Sequence, residues 1–174
     1  MKTEFWDVLD ADGAVTGKTV ARGRCILKPG EYHLVVHIWI VSSKGEILLQ
    51  RRSDKKKLMP GEWAATGGAA ISGESSYTAA NRELFEELGI PSNKETLKKL
   101  FRLKRRNSLL DVWMIKSDIS LQELKLQKSE VAEARWVTKD ELSDMIKKGV
   151  FHNYGKEYFE RVLEAVSSNE GVTV

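Results

Sequence analysis

Cysteine is almost absent from this sequence. Cys25 stands alone, which excludes an internal disulfide framework and a four-cysteine zinc site. With three prolines in 174 residues, no proline-rich linker divides the chain. Long hydrophobic runs are missing too. The longest, Leu34 to Val41, is interrupted by His37, and a membrane-spanning helix needs ~20 apolar residues. Met1-Lys2-Thr3-Glu4 has nothing of a signal peptide's apolar heart, so a soluble, cytoplasmic protein with no membrane partner is expected. Nor is there much excess charge. Lys and Arg number 28 against 25 Asp and Glu, a balance of +3 that gives no case for a dedicated nucleic-acid binder. What is present, 41% hydrophobic and 30% charged residues, suffices for a real core and excludes a wholly disordered tail.

No internal repeat or biased tract is visible. The organisation reads as an amino-terminal extension over residues 1–30, one domain over 31–166 and a mobile tail over 167–174. Phe5 to Asp10 reads as a strand ending in the Asp12-Gly13 turn. Tyr32 to Val41, rich in Val, Ile and Trp, reads as a strand buried on both faces. It should form a hairpin with Ile47 to Arg51 through Ser42 to Gly45. Leu97 to Lys104 should pair with Leu109 to Ile115, and Val131 to Val137 should be another strand. Helices are expected over Lys139 to Lys148, with Thr138 as N-cap, and over Lys156 to Val166. Strands and helices alternate without a regular βαβ rhythm, which favours an α+β fold with a mixed sheet flanked by helices.

The chemistry concentrates between Gly61 and Ile90, in the pattern Gly68-x5-Glu74-x7-Arg82-Glu83-Leu84-x-Glu86-Glu87-x-Gly89-Ile90. From about Ser76 to Leu88 the apolar period is helical: Tyr77, Ala80, Leu84 and Leu88 define one stripe. Glu83, Glu86 and Glu87 then cluster on the flank away from it. Three carboxylates so close repel by roughly 1 kcal/mol per pair in water, and more when half buried. A cation should hold them, and an all-oxygen donor set suits Mg²⁺ or Mn²⁺. Gly89 fits a left-handed helix cap with Pro91 just beyond. Gly67, Gly68 and Gly73 let the preceding loop turn tightly and approach a ligand.

This pattern is a complete Nudix box, and the chain resembles the Nudix hydrolase superfamily over most of its length. The resemblance implies the Nudix fold, a mixed β-sheet sandwiched between α-helices (α/β/α). It also implies hydrolysis of a diphosphate linked to another group, by water attack on phosphorus. Metal ligation falls to Glu83, Glu86, Glu87 and Gly68. Arg82 pairs with a carboxylate and fixes its rotamer, and Glu74 orients the loop or supports the metal through water. The general base is one of these glutamates or a carboxylate from a separate loop, for which Glu130 or Glu133 is favoured. Arg51 or Arg52, only one of which can point inward on a strand, would meet substrate phosphate together with Gly67 and Glu74. The expected partner is a small-molecule diphosphate, and a homodimer is an open option.

The amino-terminal half is also similar to the type I isopentenyl-diphosphate isomerases, a Nudix branch of different chemistry. It shares Trp6-Asp7-Val8-Leu9-Asp10, Tyr32-His33-Leu34, Arg51-Arg52-Ser53 and Pro60-Gly61-x-Trp63. His33 falls where those isomerases place a metal histidine, and Asp111 near one of their metal glutamates. Their catalytic cysteine and second metal histidine belong in the loop written here as Ala65 to Ala70, and neither is present. Cys25 has no motif to place it at the site. These departures favour hydrolase over isomerase. A third reading, a binding module recognising nucleotide or RNA, rests on the seven Lys or Arg between Lys94 and Arg106, which otherwise read as a solvated edge hairpin. His33 and His37, ~13 Å apart along a strand, cannot share one ion.

Overall fold

The structure is a computed structural model describing residues 3–23 and 27–168; Cys25 and the last six positions of the expected tail lie outside the described residues. β1 (Phe5–Leu9) and β2 (Val15–Ala21) form a separate antiparallel sheet. Asp10 accepts the Asp12 and Ala14 N–H groups, and Gly13 takes the positive φ that this turn requires. β2 is exposed along most of its length, with no apolar alternation to announce it.

The main sheet is built on β3 (His33–Val41). Its pairing with β4 (Ile47–Arg52) is confined to Ile40 opposite Leu48 and Val41 opposite Ile47. The expected hairpin therefore exists only near its turn, and the two strands then part. β5 (Trp63–Ala64) pairs with β4, and after Ala65 the chain crosses to β3 as β6 (Thr66–Ala69). The glycine loop of the sequence reading is thus partly a strand. α1 (Ser76–Leu88) follows, then β7 (Leu97–Lys104) and β8 (Ser108–Lys116). β7 and β8 pair antiparallel, and β8 lies parallel to β3 along its whole length. β9 (Val131–Val137) covers the other edge of β4. The chain ends in α2 (Lys139–Lys147) and α3 (Lys156–Ser168), so Ser167 and Ser168 belong to a helix, not to the tail.

Side-chain alternation explains why helices cover both faces. Val36, Ile38, Ile40 and Leu48 point to one side, against Ala79, Ala80, Leu84 and Leu88 of α1. Trp39, Val41, Ile47 and Leu49 point to the other, against Leu142, Met145, Tyr158 and Val162 of α2 and α3. Each fully buried aliphatic side chain contributes roughly 1.5–3 kcal/mol. A strand apolar on both faces, as β3 is from Ile38 to Val41, has no solvent face to offer there, and the α/β/α sandwich is its consequence. Helix ends are specified locally. Ser75 accepts the Thr78 N–H, Gly89 caps α1 at φ 73°, and Thr138 and Glu141 form a reciprocal capping box.

Candidate active site

The parting of β4 from β3 creates the site, because α1 lays its carboxylates across the opening. Arg82 organises them. Its Nε and Nη2 grip both oxygens of Glu74 at 2.7 and 3.0 Å. Its Nη1 donates to Glu83 at 2.9 Å and to Glu86 at 3.1 Å, and Nη2 also reaches the Ala69 carbonyl at 3.2 Å. All five guanidinium donors are used, and carboxylates on three sides hold the group firmly protonated. Glu74 in turn accepts the Ile71 N–H at 2.9 Å, so one residue ties the loop to the helix.

Glu83 lies against Gly68, where an added Cβ would stand 2.4 Å from its Oε1. Burial raises its proton affinity, and Arg82 partly offsets this. Glu86 has a side chain 48% exposed. Glu87 is the most enclosed of the three, 3% exposed and among the buried residues of α1. Its Oε2 accepts from Gln50 Nε2 at 2.8 Å and from the Gly67 N–H at 3.2 Å, one donor from each side of the parting strands. Burial, then the charge of Glu83, pushes this carboxyl up to about 8.

A family model for the NUDIX domain matches residues 31–159. The chain belongs to the Nudix family. A Nudix hydrolase of Listeria monocytogenes is 42% identical over 152 residues, covering 87% of this chain and 89% of that protein. Nudix hydrolase 3 of Arabidopsis thaliana is 35% identical over 162 residues, which are 85% of this chain but 21% of that longer one. Among solved structures, DR0079 from Deinococcus radiodurans shares the fold with a TM-score of 0.74 at 24% identity, over 95% of this chain and 98% of that one. The protein is thus a hydrolase of the class that acts on diphosphate bonds.

Other positions of this Nudix protein divide into those the fold brings to Glu87 and those it does not. Glu130, beside Lys56, lies close enough for its charge to act on Glu87. Glu133 is instead drawn to Arg51 at 3.5 Å, with its side chain 55% exposed. Arg51 also meets Asp54 at 3.3 Å, whereas Arg52, beyond a bulge in the pairing with β9, donates to the Leu58 carbonyl and carries its charge toward His37 and Tyr154. The isomerase-like residues are engaged elsewhere. His33 stacks on Trp6 with ring centroids 4.1 Å apart. Asp111, wholly buried, is held by Arg102 at 2.6 and 2.9 Å and by Lys99 at 2.7 Å. Two cations of the basic run Lys94 to Arg106 are thus committed to Asp111. His152 pairs with Glu62 at 2.7 Å.

Sequence reasoning missed Gln50, Tyr154 and Arg105. The one signal for Gln50 is an amide side chain directly after the apolar run Ile47 to Leu49; the other two lie in connecting segments whose approach to the site only the fold supplies. Among the described residues no three His, Cys, Asp or Glu side chains stand in ready-made ligand geometry. The donor set nonetheless fits a hard divalent cation. Arg82 occupies one oxygen each of Glu83 and Glu86, Glu87 is buried beside them, and the nearby Gln50 Oε1 is buried without a partner.

Proposed function

We propose that the protein is a metal-dependent Nudix pyrophosphohydrolase that cleaves the diphosphate linkage of a nucleoside diphosphate derivative or related organic diphosphate. The supporting observation is Glu87, a buried carboxylate pinned by Gln50 and Gly67 beside Glu83, where a proton is retained unless a cation takes its place. Mg²⁺ or Mn²⁺, when bound by Glu83, Glu86, Glu87 and the Gly68 backbone, would supply charge neutralisation for the diphosphate and a more acidic water. The chain's own part is positioning. Arg82 fixes the rotamers of Glu83 and Glu86, and Glu74 fixes Arg82. Gly68 leaves room for the Glu83 carboxylate. Arg52 offers its guanidinium to phosphate. In hydrolysis the water oxygen bonds to phosphorus, the bridging P–O bond breaks, and the water proton passes to a carboxylate. For that role outside α1 we favour Glu130, whose charge reaches Glu87, over Glu133, which is drawn to Arg51. The same reading takes a small molecule in the cytoplasm as the substrate.

The test is a panel of nucleoside diphosphate derivatives, nucleotide sugars and isoprenoid diphosphates assayed for phosphate or monophosphate release with Mg²⁺, Mn²⁺ or EDTA. Hydrolysis should require the metal, and Glu87→Gln should lower kcat by about 10²-fold or more. Turnover that survives both EDTA and this substitution would sink the mechanism.

A further inference from the structure

On the face of the sheet opposite α1, basic groups gather around one tyrosine. Tyr154 lies 4.6 Å from His37 and 4.9 Å from His152, ring centroid to ring centroid. The Arg105 guanidinium stands 5.9 Å from the ring centres of both Tyr154 and Tyr158. The charges of Arg52, Arg105 and Glu87 all reach the Tyr154 hydroxyl. The Ala65 backbone also acts on the Tyr154 hydroxyl; the Ala65 carbonyl accepts from Gln50, and Gln50 donates to Glu87. His37 is the cross-strand partner of Gly67, which donates to the same carboxylate. This cluster therefore sits directly behind the acidic site.

Its charge is not balanced. His152 has Glu62. His37 is kept neutral: Trp39 donates to the Tyr158 hydroxyl at 2.8 Å, which leaves that hydroxyl to donate to His37 Nδ1 at 2.9 Å. Arg52 and Arg105, however, have no carboxylate partner among the described residues, although Lys99 and Arg102 on the same basic run do. Arg105 Nη2 is buried with no hydrogen-bond partner at all. An unpaired buried guanidinium nitrogen costs free energy, and an incoming oxyanion is the partner that would remove the cost.

We propose that Arg105 and Arg52 bind the second phosphoryl group of the substrate, the one not held at Glu83 and Glu87, with Tyr154 as the wall behind it. Arg105 is thereby a substrate-binding residue that the Nudix box does not contain. This inference rests on the hydrolase reading above. It places the diphosphate across the gap between β4 and β6, one phosphoryl toward the carboxylates of α1 and the other toward the two arginines. A guanidinium suits that task because it can donate two parallel hydrogen bonds to one phosphoryl group.

The test uses imidodiphosphate, whose P–N–P bridge resists hydrolysis, titrated calorimetrically into the full-length protein in EDTA. Arg105→Gln should weaken binding about tenfold or more, as loss of a charge-assisted hydrogen bond does. Arg106→Gln removes the same charge one residue along, from an exposed position, and should change affinity less than about twofold. Arg105→Lys, which keeps the charge and most of the packing, should fall between them and serves if the glutamine variant does not fold. In steady-state hydrolysis with Mg²⁺, Arg105→Gln should raise KM more than it lowers kcat. Equal weakening by the Arg105 and Arg106 substitutions, or none by either, would overturn the subsite. If no diphosphate is hydrolysed but imidodiphosphate binding still depends on Arg105, the hydrolase mechanism fails and the anion subsite stands.

Discussion

Gly67 and Gly68 are adjacent in sequence, yet an added methyl group would meet different obstacles at each. At Gly68 the obstacle is the Glu83 carboxylate, 2.4 Å from the position of a Cβ, and the backbone φ is not in the left-handed region. The end of a flexible side chain can move, so Gly68→Ala should fold with a melting temperature close to that of the parent protein. The displaced carboxylate would no longer sit where Arg82 aims it. We expect kcat to fall roughly 10–100-fold, the scale seen when the support of a metal ligand is disturbed. At Gly67 the obstacle is backbone: Val36 O would lie 2.1 Å away, and φ is 153°. Nothing there yields without breaking the pairing of β6 with β3. Gly67→Ala should therefore lower stability by several kcal/mol, measured by denaturant unfolding, along with activity. A pair of variants that lost stability equally would show that the Gly68 contact is structural only.

Among elements, the amino-terminal hairpin is the one whose connection to the site is least evident. Asp7 on β1 accepts the Ser72 hydroxyl at 2.6 Å and the Gly73 N–H at 2.8 Å, and Phe5 O accepts the Ser72 N–H at 2.7 Å. The loop that carries Glu74 is thus fastened from both sides, by the hairpin and by Arg82. Asp7→Ala removes two of these bonds and should cost about 1–3 kcal/mol. Amide exchange should accelerate at residues 71–74, with α1 itself unchanged; uniform acceleration through α1 would mean that the hairpin supports the whole domain. Legibility in the sequence followed the same divisions. β3, α1, α2 and the hairpin of β7 with β8 were readable because their residues follow one period and carry their own caps. β2 was not, since Val-Thr-Gly-Lys-Thr-Val-Ala has no buried face. The strand character of Thr66 to Ala69 was hidden by its glycines, which are present because Val36 and Glu83 approach so closely. The box revealed the acidic half of the site, while Arg105 and Tyr154 depend on packing between segments distant in sequence. Spacing grouped Glu87 with Glu83 and Glu86 but left its depth open, because a buried carboxylate is credible only once Gln50 and Gly67 are known to face it.

Protonation joins the site to the stability of the whole molecule. Glu87 is raised from its ordinary 4.5 to about 8, so the stability it contributes is complete below the unfolded value and is lost as pH climbs through about 8. His37 and His33, lowered by burial from 6.5 to about 3 and about 4, act in the opposite sense: their contribution is complete above 6.5 and is lost as pH falls. Near pH ~6.5 the unfolded chain holds about half a proton on each histidine and the folded chain about one on Glu87, so the slopes cancel. Metal-free protein should therefore melt highest at or below pH ~6.5 and less high on either side, because Glu83, also raised, moves the balance toward lower pH and steepens the alkaline fall. Glu87→Gln has no carboxyl to titrate there, so most of its alkaline fall should disappear while the acid side persists. Mg²⁺ competes with protons for the same oxygens, and its stabilisation should grow as pH rises toward about 9 and vanish toward about 5. Calorimetric scans across that range, in EDTA and in Mg²⁺, check both statements. An Mg²⁺ shift equal at the two ends, or an alkaline fall unchanged by Glu87→Gln, would mean that the proton and the metal do not share this carboxylate.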